Sequence, residues 1–139
     1  MRLLADTSAY SAFMRGHSAI KSSLQRADEI VVNAIVLGEL AAGFIKGGRR
    51  RRNQEELSRF LSSPRVNVVD VTEETAERYG VILNSLWKAG TPIPTNDIWI
   101  AASAMEHGLQ ILTTDTHYQK VSQVMVEHFH PRRLSLHKI

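Results

Sequence analysis

The chain has 139 residues, 43% apolar and 22% charged, with a net charge of +3 and no cysteine. That is the balance of one globular domain with a sizeable core, and it excludes disulfides, thiolate nucleophiles and cysteine zinc sites. No apolar run approaches the ~20 residues of a membrane span, and MRLLADTS lacks a secretory signal, so a cytoplasmic protein away from membranes is expected.

Residues 2–5, RLLA, read as a short strand ending at the cap residues Asp6-Thr7-Ser8. Two helical segments, 9–14 and 20–27, follow on either side of a Gly16-His17-Ser18 break. EIVVNAIV, 29–36, is rich in β-branched residues and predicts a buried strand, and 37–48 predicts a helix closed by Gly47-Gly48. Beyond the arginine run, Leu57, Phe60 and Leu61 recur at helical spacing until Pro64. VNVVDV, 66–71, predicts the next strand. Residues 73–90 predict a helix with Glu73 and Glu74 in its first turn and Gly90 at its end. A helix from about 95 to Gly108, a strand over 109–115, a helical stretch from Thr116 and a last strand near 124–129 complete the chain. Strands alternating with helices, and reading as continuous apolar runs, predict an α/β fold. Residues 1–139 form a single domain on this reading.

Charge is unevenly spread. Lys46, Arg49, Arg50, Arg51 and Arg52 fall within seven residues, and without them the remainder is slightly acidic. Such a segment can attract a polyanion by counterion release, or can be a solvated helix face.

Four acids are harder to place. Asp6 and Asp115 follow predicted strands, where ligands collect in open α/β sheets, yet either could simply cap the next helix. Asp97 opens the helix of IPTNDIWIAASA with Thr95 or Asn96 as its cap, and Ile100 and Ala101 on the same face turn its carboxylate inward. Glu39 is the only charged residue among the twelve of AIVLGELAAGFI, 34–45. A helix apolar nearly all round is buried, and a lone buried carboxylate is costly unless paired or bound to a metal. Clustered acids repel unless a cation is present. With no cysteine, and no histidine beside any of the four on this reading, hard oxygen ligands point to Mg²⁺ or Mn²⁺ and to phosphodiester hydrolysis.

LLADTSAY with Asp6, VLGELAAG with Glu39, IPTNDIWIAASA with Asp97 and ILTTDTHYQKV with Asp115 together resemble the PIN-domain family. The likeness is specifically to the VapC toxins of toxin–antitoxin pairs, and it spans essentially the whole chain. It implies a PIN-like three-layer α/β/α fold, with a central mostly parallel sheet of four to five strands. It also implies a Mg²⁺- or Mn²⁺-dependent endoribonuclease whose Asp6 and Asp97 are the main metal ligands, with Glu39 and Asp115 completing the ring. Water rather than the ribose 2′-hydroxyl would be the nucleophile. Thr7, Ser8 and Thr113 could position an acid or the scissile phosphate, or serve as local caps. Arg49, Arg50, Arg51 and Arg52 could contact RNA phosphate. His117-Tyr118 stands where many relatives have His-Phe, and no catalytic role is assigned to His117. His130-Pro131-Arg132-Arg133 is a second, smaller basic site.

The resemblance further implies a homodimer, or a hetero-oligomer with a VapB-type antitoxin. An apolar groove over 37–61, with Phe44, Ile45, Leu57, Phe60 and Leu61, would seat that antitoxin. Two other functions fit the same residues. One is a catalytically silent RNA-binding or adaptor module. The other is an aspartyl-phosphate phosphatase or phosphotransferase built on ADTS, although position 8 is Ser where that chemistry wants Asp, and no lysine adjoins the acids.

Overall fold

The computed structural model describes residues 1–132; Arg133 of the C-terminal basic site lies outside them. Five strands form one sheet: β1 (Arg2–Ala5), β2 (Glu29–Asn33), β3 (Val66–Val69), β4 (Gln110–Thr113) and β5 (Val126–His128). Their order is β3-β2-β1-β4-β5, and every pairing is parallel. Leu3, Leu4 and Ala5, Ile30 to Asn33, and Ile111 to Thr113 are buried without alternation. A strand buried on both sides has helices over both faces of its sheet, which gives the expected three layers. The sheet is wholly rather than mostly parallel.

Six helices connect the strands: α1 (Thr7–Met14), α2 (Ser18–Arg26), α3 (Ala34–Lys46), α4 (Arg50–Leu61), α5 (Glu73–Ala89) and α6 (Thr95–His107). Among the described residues no helix is long and apolar enough to cross a membrane.

Several details differ from the sequence reading. β2 ends at Asn33 rather than 36, because the Asn33 Oδ1 accepts from the backbone N–H groups of Ile35 and Val36, both at 3.1 Å, and starts α3 there. An N-cap outweighs the strand propensity of two β-branched residues. α6 is capped by Pro94 without a side-chain hydrogen bond, so neither Thr95 nor Asn96 plays that part. After β4 the chain forms only a 3₁₀ turn, Thr116–Lys120, instead of a longer helix.

The largest correction concerns α3. Only Val36 and Leu40 of this helix are buried, while Ala41, Ala42 and Gly43 are exposed and Ile45 is 59% exposed. α3 therefore packs along one narrow stripe and leaves an apolar face uncovered. Glu39 is half-buried, so the argument from an isolated buried charge does not hold for it.

Candidate metal centre

β1 and β4 are neighbours at the point where the strand order reverses, and the crevice beyond their carboxyl ends is where an open α/β sheet binds ligands. The Asp6 N–H donates to Leu112 O at 3.2 Å and locks the two strand ends together. Three of the four acids stand around this crevice, and α3 brings the fourth to its edge.

Asp6 is both cap and site residue. Its Oδ1 accepts from the Ala9 N–H at 2.8 Å and from the Ser8 hydroxyl at 2.7 Å; its Oδ2 accepts from the Thr113 hydroxyl at 2.6 Å. Ser8 and Thr113 are themselves held, by the N–H groups of Thr114 at 3.0 Å and Asp115 at 2.8 Å. Asp6 as a whole is 3% exposed. Burial pushes its pKa up to about 6; the hydrogen bonds of Thr113, Ala9 and Ser8 pull against that, and Asp115 adds repulsion. Replacing Thr113 by Val would leave Asp6 Oδ2 and the Asp115 N–H without this partner. A loss of roughly 1–3 kcal/mol is expected in urea unfolding of the Thr113→Val protein; an unchanged midpoint would mean that water replaces the hydroxyl freely.

Asp97 lies in the first turn of α6, 9% exposed, with its carboxylate turned inward. The Tyr118 hydroxyl donates to its Oδ1 at 3.3 Å. Burial first, and Asp115 second, raise its pKa. Tyr118 is fully buried, and its hydroxyl is made harder to ionise by burial and then by Asp6, Asp97 and Asp115. One phenol thus feels three acids that are up to 109 residues apart in the chain.

Asp115 caps the 3₁₀ turn through the His117 N–H at 2.8 Å. Glu39 joins from the side: Thr7 Oγ1 donates to its Oε1 at 2.5 Å and Asn96 Nδ2 to its Oε2 at 3.3 Å. The hydroxyls of Thr7, Ser8 and Thr113 all point at acids.

Sequence reasoning missed His117. Its Nδ1 lies 3.0 Å from Asp97 Oδ2 and 2.9 and 3.1 Å from the two oxygens of Asp115. Among the described residues, Asp97, Asp115 and His117 are the set whose ligand atoms all fall within 4.8 Å of one another. Asp6 and Glu39 lie outside that set, their carboxylates held by Thr113 and Ser8 and by Thr7 and Asn96. The donors fit a small divalent cation: two carboxylates with little room to separate, backed by a third acid whose ionisation burial already opposes.

The arginine run is the start of α4, with Arg49 at the cap position and Arg50, Arg51 and Arg52 in the first turn, all exposed. Arg51 and Arg52 pair with Glu55 and Glu56 at 3.5 and 3.2 Å. Positive charge at a helix N-terminus opposes the macrodipole, and α4 has no acid in its first turn to relieve it. Beside the run is a groove of about 320 Å³ between α1, α3 and α4, lined by Tyr10, Phe44, Arg15, Arg49, Arg52 and Glu56 among others. Where an apolar groove was expected, this one is mixed, about as polar as it is apolar. Of its five predicted residues only Phe44 lines this groove; Phe60 instead packs edge-on against Tyr10 at 5.1 Å, and Leu57 and Leu61 rest on the core.

The PIN-domain family model matches residues 3–124, nearly the whole chain. The ribonuclease VapC4 of Mycobacterium tuberculosis is 32% identical over 127 residues, covering 90% of this chain and 95% of that protein. This chain belongs to the VapC branch of the PIN-domain family. The ribonuclease VapC1 of Haemophilus influenzae is also 32% identical, over 74% of this chain and 76% of its own length. Among solved structures, VapBC2 of Rickettsia felis bound to a promoter DNA fragment superposes with a TM-score of 0.81 at 24% identity, covering 93% of this chain and 99% of the other. At that identity the likeness speaks for the PIN fold alone.

Proposed function

We propose that this PIN-domain protein is a divalent-metal-dependent endoribonuclease, the toxin of a toxin–antitoxin pair, acting in the cytoplasm. The observation that carries the proposal is the convergence of Asp97, Asp115 and His117, ringed by Asp6 and Glu39, at the switch point of a PIN fold. The relatives named ribonucleases VapC support the substrate class. The domain is taken to span residues 1–139.

Asp97 and Asp115 would hold Mg²⁺ or Mn²⁺ directly, with Asp6 and Glu39 completing the negative field. The cation would supply positive charge to a phosphodiester oxygen and acidify a water molecule. The protein's own part is orientation. Ser8 and Thr113 hold Asp6, Thr7 and Asn96 aim Glu39, and Tyr118 holds Asp97 from beneath. A ribonuclease cyclising through the 2′-hydroxyl commonly works with two histidines, and only one histidine joins this cluster among the described residues. Water would be the nucleophile, as the family resemblance implies, leaving a 5′-phosphate and a 3′-hydroxyl, and the single histidine agrees with that. An aspartyl-phosphate route is disfavoured because both oxygens of the buried Asp6 are engaged.

Incubating the protein with total cellular RNA and Mg²⁺ should give fragments ending in 5′-phosphate, and a chelator should stop their appearance. RNA retained intact on the protein in both conditions would instead favour the silent binding module.

Arg49, Arg50, Arg51 and Arg52 would draw the RNA backbone toward the crevice. The double variant Arg50→Glu, Arg51→Glu is expected to bind all RNA sequences more weakly. Its affinity should fall less steeply with salt, by about one unit of slope for each phosphate it no longer neutralises. Isotherms at several KCl concentrations read this directly; an unchanged slope would leave these side chains to solvent.

The partner is a VapB-type antitoxin, and the uncovered face of α3 (Ala41, Ala42, Ile45) with the groove beside it is its proposed seat. The VapBC complexes among the structural neighbours support that reading, and assembly as a homodimer belongs to the same proposal.

A further inference from the structure

The imidazole of His117 meets both acids of the candidate metal centre through a single nitrogen. Its Nδ1 is directed between two carboxylates, at 3.0 Å from Asp97 and 2.9 Å from Asp115. The turn that carries the ring is fixed at two points: the His117 backbone N–H donates to Asp115 Oδ1 at 2.8 Å, and the next residue, Tyr118, is fully buried. The side chain is 41% exposed, and among the described residues no protein group hydrogen-bonds Nε2. Nδ1 is thus the ring atom shared by both acids: it can donate to a carboxylate without an ion, or offer its lone pair to a cation held with them. Asp97, Asp115 and His117 each offer a ligand atom within 4.8 Å of the others, a spacing that suits donors around one small cation.

From this geometry we infer that His117 is a direct ligand of the cation, making the donor set two carboxylates and one imidazole, and that it biases the site toward Mn²⁺ over Mg²⁺. The inference rests on the metal reading above and adds a residue to it. Mg²⁺ favours an all-oxygen octahedron and gains little from an imidazole, whereas nitrogen donors favour the transition ion. A purely positioning histidine would have its proton on Nδ1 and could be replaced by any donor of similar reach. Asn is such a donor: it can hydrogen-bond the carboxylates but offers no imidazole nitrogen.

The test uses the full chain with Mn²⁺ as the probe and pulsed electron paramagnetic resonance as the readout. In the wild-type protein, nuclear modulation from a directly bound imidazole nitrogen should appear, and should change frequency when the histidines alone carry ¹⁵N. In His117→Asn the modulation should vanish. The Mn²⁺ dissociation constant should rise about tenfold, while that for Mg²⁺ moves less than about twofold. Mn²⁺ bound without histidine coupling, or coupling that survives His117→Asn, overturns the ligand assignment and leaves the acidic metal site standing. Failure of Mn²⁺ to bind, or binding indifferent to Asp97→Asn, removes the metal reading and this inference with it.

Discussion

Asp97→Asn should lower Mg²⁺- or Mn²⁺-dependent RNA cleavage by about a thousandfold or more while leaving the fold intact. The side chain is nearly the same size, and an amide oxygen can still accept from the Tyr118 hydroxyl. What disappears is one of two charges within reach of the same Nδ1 atom. Burial and Asp115 both oppose ionisation of Asp97. In metal-free protein the neutral replacement should therefore be neutral or slightly stabilising, so lost activity cannot be ascribed to unfolding. Single-turnover cleavage and thermal unfolding, measured on one preparation, separate the two effects. Cleavage within tenfold of wild type would mean that this carboxylate does not hold the catalytic ion.

The second large effect is a pH dependence of stability in chelator-treated protein, centred on Asp6. Its carboxyl group has a pKa of about 6 in the folded protein against 3.8 unperturbed, chiefly because it is buried. Below about pH 4 the group is protonated in both folded and unfolded chains and costs nothing. Between about 4 and 6 the folded protein keeps a proton that the unfolded chain has released, so stability falls as pH rises. Above 6 both forms are ionised and the cost is fully present, about 3 kcal/mol at ~1.4 kcal/mol per unit. Asp6→Asn should abolish that slope and be the more stable protein at neutral pH without metal, although inactive. Mn²⁺ at a hundred times its dissociation constant should return about 2.7 kcal/mol to the wild type. Urea unfolding at pH 4.5 and 7.5 tests this; a wild-type profile matching Asp6→Asn would place the carboxylate in a more hydrated setting than the structure does.

Much of the site was legible because its acids break local rules. A carboxylate straight after an apolar strand, or at the head of an apolar helix, stands out without any knowledge of neighbours. The choice between cap and ligand was less sharp than the sequence made it seem, since Asp6 and Asp115 cap with one oxygen and face the crevice besides. Glu39 stands out in the sequence for a reason that fails: α3 is apolar all round yet buried only along Val36 and Leu40. Its anchors are Thr7 and Asn96, 32 and 57 residues away, which no periodicity reveals. His117 escapes a reading of the sequence although it sits two residues beyond Asp115. An acid whose side chain takes the N–H two residues on forms a tight turn, and that turn was the available sign.

By itself the sequence determined the alternation of strand and helix, the burial of the central strands and the four acids, because hydrophobic period and cap chemistry act over a few residues. Only the tertiary structure decided which acids share a ligand and which merely surround it. Pairing β1 with β4 rather than with β2 alone brings Asp6 to the edge of the pocket where Asp97, Asp115 and His117 meet. Contacts across a hundred residues are set by strand order and by which helix face finds cover, and a one-dimensional pattern carries neither.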